Sequence, residues 1–208
     1  MTFVAEAQIE ARAAELWRAH GLEPGFDIER LLDLLDLRLL WEDVDDEAGR
    51  IGAGEGRVYG LLVPTEQLVM LNERHRDALE EKGGRVRRFT VGHEIGHWVI
   101  HAKGTGLSSC SLFDGRRIHC RSKSTDSIEW QAEMFSAALL MHRDTLQKEL
   151  PTGEWSGWPP VYRLAEKFGV SLTAMRIRLE RLGWMHRDAD GIPRSGLAPV
   201  EGQGSLFE

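Results

Sequence analysis

Only two of the 208 residues are cysteine, Cys110 and Cys120. That is too few to staple a small secreted scaffold, and in a reducing compartment the pair reads as free thiols. Cys110 with His119 and Cys120 matches no strong zinc spacing. Long apolar runs are also missing. Nothing approaches the ~20 residues that span a bilayer, so no helical membrane anchor is expected. Positive charge is in deficit: 26 Lys and Arg stand against 33 Asp and Glu, a net charge of −7. This argues against broad nonspecific nucleic-acid binding by the whole chain, although a local basic surface remains compatible with it. Basic residues are lacking as well at the N-terminus, where Glu6 stands in place of a charged signal-peptide start, so a cytoplasmic location is expected. Proline does not occur from Glu66 to Glu149, which leaves that stretch open to long helices.

What remains describes an ordinary globular protein, 42% hydrophobic and 28% charged. Its length allows one good hydrophobic core plus a small appendage.

Within the proline-free stretch lies His93-Glu94-Ile95-Gly96-His97. Val91, Ile95, Trp98, Val99 and Ala102 follow the spacing of a buried helix face, and His93, His97 and His101 fall on a neighbouring stripe. Two histidines four positions apart close to within about 40° of a full helical turn, so both imidazoles can reach one ion. Glu94 between them can take a proton from water held at that ion. The pattern points to zinc-dependent peptide hydrolysis. The bland alternative is three histidines on the polar face of a surface helix.

A catalytic zinc needs a third protein ligand and one open position. HExxHxxGxxH would require glycine at 100 and histidine at 103, where the chain has Ile100 and Lys103. The other source is a carboxylate on a second helix, and residues 126–141 supply one. Asp126 three residues before Glu129 resembles a capping box. Ile128, Ala132, Phe135 and Leu139 form its core stripe, with Glu129 and Glu133 together on an adjoining face. Geometry alone lets either glutamate face the metal.

Residues 88–98 followed by 129–141 resemble the ImmA/IrrE family of bacterial zinc metallopeptidases. Its second motif reads approximately E-x-Q-A-N-x-F-A-x-x-L-L-M-P, and the first glutamate of that motif is the third zinc ligand. Matched residue by residue, the resemblance makes Glu129 that ligand, beside His93 and His97, with Glu94 catalytic and one Zn²⁺ per chain. Glu133 stands where the family usually has asparagine, which implies a supporting role. Ser136 replaces the usual alanine and His142 the proline after Leu-Leu-Met.

Around this pair of motifs the chain reads as α+β: a mainly helical, zincin-like metallopeptidase core with a small β-sheet over residues 1–150. Helices are expected at 5–20 and 27–36, and strands at 37–44, 58–63 and 67–72. An edge strand beside the active helix would suit substrate binding by strand addition. Residues 103–125 form a glycine-, serine- and basic-rich connection expected either to rim the cleft or to be a disordered insertion. After a break at Pro151–Pro160 comes a helix-turn-helix-like pair at 160–186, with a tight turn at Gly169 and an N-cap at Ser171. From Arg163 to Arg187, six basic residues against two acidic ones leave a surplus of four positive charges. It is expected to pack on the core or to be appended to it. Residues 187–208 lack periodicity and are expected to be a tail without fixed structure, with Leu206 and Phe207 as a short docking element.

Family members typically cleave a helix-turn-helix repressor, frequently encoded nearby. The resemblance therefore implies a zinc endopeptidase that derepresses mobile-element, stress-response or toxin–antitoxin genes. The competing class is a DNA-binding regulator with a non-catalytic or sensory zinc site, and direct DNA binding is the less favoured reading. Beyond zinc and its bases, His101, His142 and Tyr162 are candidates for stabilising the oxyanion by residue type alone.

Overall fold

The computed structural model describes residues 4–44, 58–102 and 128–197, together with the backbone of 118–119. The cysteines, Asp126, the remainder of the 103–125 connection and Leu206–Phe207 lie outside the described residues.

Helix α1, Glu6–His20, buries Ile9, Ala13 and Trp17 at helical spacing and ends on Gly21 in the left-handed region. Asp27 caps α2, Ile28–Leu34, by accepting the N–H groups of Glu29 and Arg30. Strands β1 (Arg38–Glu42), β2 (Gly60–Val63) and β3 (Leu68–Asn72) follow, with a 3₁₀ turn over Pro64–Glu66 joining the last two. The sheet is completed by β4, Ile118–His119, which belongs to the long connection. Its order is β1-β3-β2-β4, with β1 parallel to β3 and the other pairings antiparallel. Every residue of β2 and β3 is buried, as their central positions require.

Helix α3, Arg76–Gly96, is two helices in one. At Glu81–Gly84 the backbone leaves helical geometry, and Lys82, Gly83 and Gly84 all take positive φ. The glycine pair makes that break sterically cheap. The second piece carries the HExxH residues and runs into a π-helical turn, His97–Ala102, a local distortion that often accompanies functional sites. Helix α4, Ile128–Leu140, packs along it, with Ala132, Phe135 and Leu139 fully buried.

Helices α5 (Arg143–Glu149), α6 (Pro159–Phe168) and α7 (Leu172–Arg181) complete the helical part. Between α6 and α7 the turn is the expected one: Gly169 has φ +64°, and Ser171 accepts the N–H of Ala174 at 3.1 Å. The pair is packed on the helical core rather than appended to it. Leu146, Val161, Leu164, Phe168, Met175 and Leu179 share one continuous apolar cluster with Ile9, Val91, Ile95 and Phe135. A smaller cluster, including Leu61, Val63 and Met70, covers the other face of the sheet.

Arg178 shows how tightly α7 is held. It is only 2% exposed, donates to both carboxylate oxygens of Glu10 at 2.5 and 2.9 Å, and reaches the Met141 carbonyl at 3.2 Å. Arg176 and Arg187 both pair with Glu180. Glu180 already belongs to the segment's count, but Arg178 on Glu10 and Lys167 on Glu149 neutralise two of the four surplus charges within the fold.

The expectation of an unstructured tail from 187 is corrected by a hairpin. Strands β5 (Met185–Arg187) and β6 (Pro193–Ser195) pair antiparallel. Asp188 organises the turn: it accepts the N–H groups of Asp190 and Ile192 and binds Arg194 Nε at 2.9 Å. The proline-rich break supplies the second support, since Ser195 N–H donates to Trp155 O and Gly157 N–H to Pro193 O. These partners lie about 40 residues apart in the chain, beyond the reach of any local periodicity. Residues 198–208 lie outside the described residues.

Candidate metal centre

The site begins with how close α3 and α4 come. A β-carbon on Gly92 would lie 2.7 Å from Ser136 Oγ, and one on Gly96 would lie 3.0 Å from the backbone of Ala132. Glycine at both places lets the helices approach where their side chains would otherwise hold them apart. The pairings 92 with 136 and 96 with 132 also show that the helices run antiparallel. Ser136 Oγ donates to Phe89 O at 2.9 Å and fastens the contact. Its hydroxyl, a departure from the family pattern, thus has a structural partner.

This approach carries Glu129 to the histidines. His93 Nε2 and His97 Nε2 are 3.0 Å apart. Glu129 Oε2 is 3.2 Å from the first and Glu129 Oε1 3.5 Å from the second. Among the described residues, these three form the group whose ligand atoms converge on one point. Ligand bonds of about 2.0–2.1 Å to a tetrahedral zinc put neighbouring ligand atoms about 3.3 Å apart. The observed spacings straddle that value, and the donor set of two imidazoles and one carboxylate suits zinc chemically.

Electrostatics point the same way. Burial disfavours a charged His93, but the hydrogen bond to Glu129 and the charges of Glu94, Glu129 and Glu133 outweigh it and raise its pKa above 6.5. Burial pushes His97 down to about 4 despite its bond to Glu129. Glu129 is also desolvated, yet its bonds to His93 and His97 hold it down at about 2. Two ring nitrogens 3.0 Å apart cannot both carry protons, so the cluster holds one proton where a divalent ion would satisfy all three groups.

Glu94 is fully buried on the neighbouring face of α3. Strand β2 presses on it: a β-carbon on Gly60 would lie 2.5 Å from Thr90 Cγ2 and 3.3 Å from Glu94 Oε1. Gly60 and Thr90 thus stand beside Glu94, a neighbourhood the sequence reading missed. Gly60 within a strand was the available signal. The strand against the active helix is not a free edge, because β4 pairs with β2 at Leu61 and Leu62.

The remaining candidates separate clearly. Glu133 is exposed and outside the ligand cluster. His101 Nε2 lies 3.2 Å from the carbonyl of Ile128, the residue before Glu129, so it steadies the start of α4. His142 stacks on Trp17 with ring centroids 4.7 Å apart and bonds Thr145 at the head of α5. Tyr162 sits in the open beside Trp158. Neither of these two is brought to the ligand cluster.

A mainly helical core with a small mixed sheet, two histidines on one helix and a glutamate on the next defines a zincin-like peptidase fold. The family description that matches residues 54–180 is the IrrE N-terminal-like domain of peptidase family M78. The chain belongs to this family, the ImmA/IrrE peptidases. No curated protein compared with the chain matches it. No helix among the described residues is long and apolar enough to cross a membrane.

Proposed function

We propose that the protein is a zinc-dependent endopeptidase that cuts a helix-turn-helix transcriptional repressor at a defined site and thereby derepresses the genes it controls. The observation that carries this reading is the convergence of His93, His97 and Glu129 within 4.8 Å beside a fully buried Glu94. A zinc ion held by the three ligands supplies Lewis acidity, which polarises a carbonyl and eases deprotonation of water. Glu94 accepts the proton of the attacking water and passes it to the leaving nitrogen. The lack of a side chain at Gly60 leaves room for the Glu94 carboxylate, and His101 fixes the start of the helix that bears Glu129. Burial of Arg178 on Glu10 weighs against α7 serving as a DNA recognition helix.

The test is co-expression with a repressor-type protein encoded beside this chain, wild type against Glu94→Gln, read by intact mass of the partner. The reading expects two discrete fragments with wild type and an intact partner with Glu94→Gln. Equal cleavage by both would remove Glu94 from the reaction, and an intact partner with both would sink the repressor assignment.

A further inference from the structure

Past the metal ligands, α3 and α4 continue side by side, and a groove of about 390 Å³ opens between them and α7. Its near end is fixed by helix geometry. Thr90 is one turn before Glu94, Glu133 is one turn after Glu129, and both line the groove. Such a volume falls within the roughly 300–1,000 Å³ common to pockets that enclose small ligands.

The walls are mainly apolar, with Val86 and Phe89 from α3, Met134 and Ala137 from α4, and Ile177 from α7. Val86 is 42% exposed and Ile177 46%, so two large apolar side chains of the groove face water, the first about two turns before Glu94 on α3. Charges on the rim are mostly engaged. Arg85 pairs with Glu166, and Arg181 lies over the Trp130 ring and 3.9 Å from Glu6. Glu133 differs: it is exposed and has no ion pair or hydrogen bond among the described residues. An apolar trough therefore ends, on its metal side, in an exposed carboxylate that forms no ion pair among the described residues, although its charge is felt at His93.

We propose that this groove is a substrate subsite that takes a large apolar side chain near the cleaved bond, with a neighbouring basic residue meeting Glu133. The guest's role as substrate rests on the peptidase reading above. Its chemistry follows from the groove: apolar surface to cover Val86 and Ile177, and a cation to complement Glu133. Helix α7, the second of the helix-turn-helix-like pair, forms one wall. In this protein that segment selects the peptide.

Peptide binding tests this without turnover. The full chain carrying Glu94→Gln, zinc-loaded and methyl-labelled at Ala, Ile and Val, is titrated with blocked hexapeptides. Their central pairs are Leu-Lys, Lys-Leu, Leu-Glu and Ser-Lys between glycines, and methyl NMR shifts are followed. The expected result is saturable shifts at Val86, Ala137 and Ile177 with the leucine–lysine pairs. Replacing lysine by glutamate should weaken binding roughly fivefold, and replacing leucine by serine roughly tenfold. Ile177→Glu, at an exposed position that does not threaten the fold, should abolish the leucine preference. Glu133→Gln should erase the lysine preference and leave the leucine preference in place. Absent shifts, shifts confined to other surfaces, or equal binding of all four peptides would overturn the proposal. Failure of the peptidase reading would appear in the co-expression experiment instead, so the two are separable.

Discussion

Ser136 lies so close to Gly92 that a β-carbon there would come within 2.7 Å of its hydroxyl oxygen, while that hydroxyl donates to Phe89 O. This contact sets the spacing of the two metal-bearing helices, and it can be tested by double substitution. Gly92→Ala alone should destabilise the protein by about 1–3 kcal/mol through overpacking. Adding Ser136→Ala removes the clashing oxygen and leaves Cβ at 3.5 Å, so much of the loss should return. Urea unfolding of the four proteins of the cycle reads the coupling. Additive effects would show that the two residues are not in conflict.

Gly60 has the same relation to the Thr90–Glu94 side of α3. Gly60→Ala should displace Thr90 and, through it, the Glu94 carboxylate, lowering turnover of a cleaved substrate about tenfold or more. Zinc content should be unchanged. Thr90→Ser removes the methyl 2.5 Å from the added carbon and should restore a good part of the rate. Loss of zinc in Gly60→Ala would instead mean that β2 supports the ligands.

Proton linkage gives a third expectation. His93 is raised above 6.5, His97 lies at about 4 and Glu129 at about 2. Near pH 6, His93 is protonated while His97 is neutral and Glu129 ionised, so binding zinc should release about one proton. Release should fall toward zero as pH rises past the His93 pKa, and affinity should weaken as pH falls below it. Calorimetry in buffers of different ionisation enthalpy measures the number. Two protons released at pH 6 would contradict the assignment of one shared proton.

The Arg178–Glu10 pair ties α7 to α1 from a largely buried position. Glu10→Ala leaves the guanidinium desolvated and unpaired, and should cost about 3–5 kcal/mol in chemical denaturation. An unchanged midpoint would mean that water reaches Arg178 and that the pair adds little.

Local pattern was enough for much of this. The helices expected at 5–20 and 27–36, the turn at Gly169–Ser171 and the i, i+4 histidines all depend on spacing within a few residues, and each stands close to where the sequence placed it. Periodicity could not choose between Glu129 and Glu133, since both sit on one face of α4. The choice is made by the antiparallel approach at Gly92 and Gly96, a tertiary fact. The break at Glu81–Gly84 was written in the Gly-Gly pair, but the π-helical turn after His97 has no local signal. The 185–195 hairpin escaped because its support comes from Trp155 and Gly157, far away in sequence. Arg178 counted only as one of the segment's positive charges, because its burial on Glu10 pairs residues 168 positions apart.

The central claim is that His93, His97 and Glu129 hold one zinc while Glu94 holds none. Native mass spectrometry of the zinc-equilibrated chain tests it directly, comparing wild type, Glu94→Gln and Glu129→Ala. The account predicts one zinc in wild type, one in Glu94→Gln, and loss of tight binding in Glu129→Ala. Zinc retained by Glu129→Ala, or lost from Glu94→Gln, would contradict it.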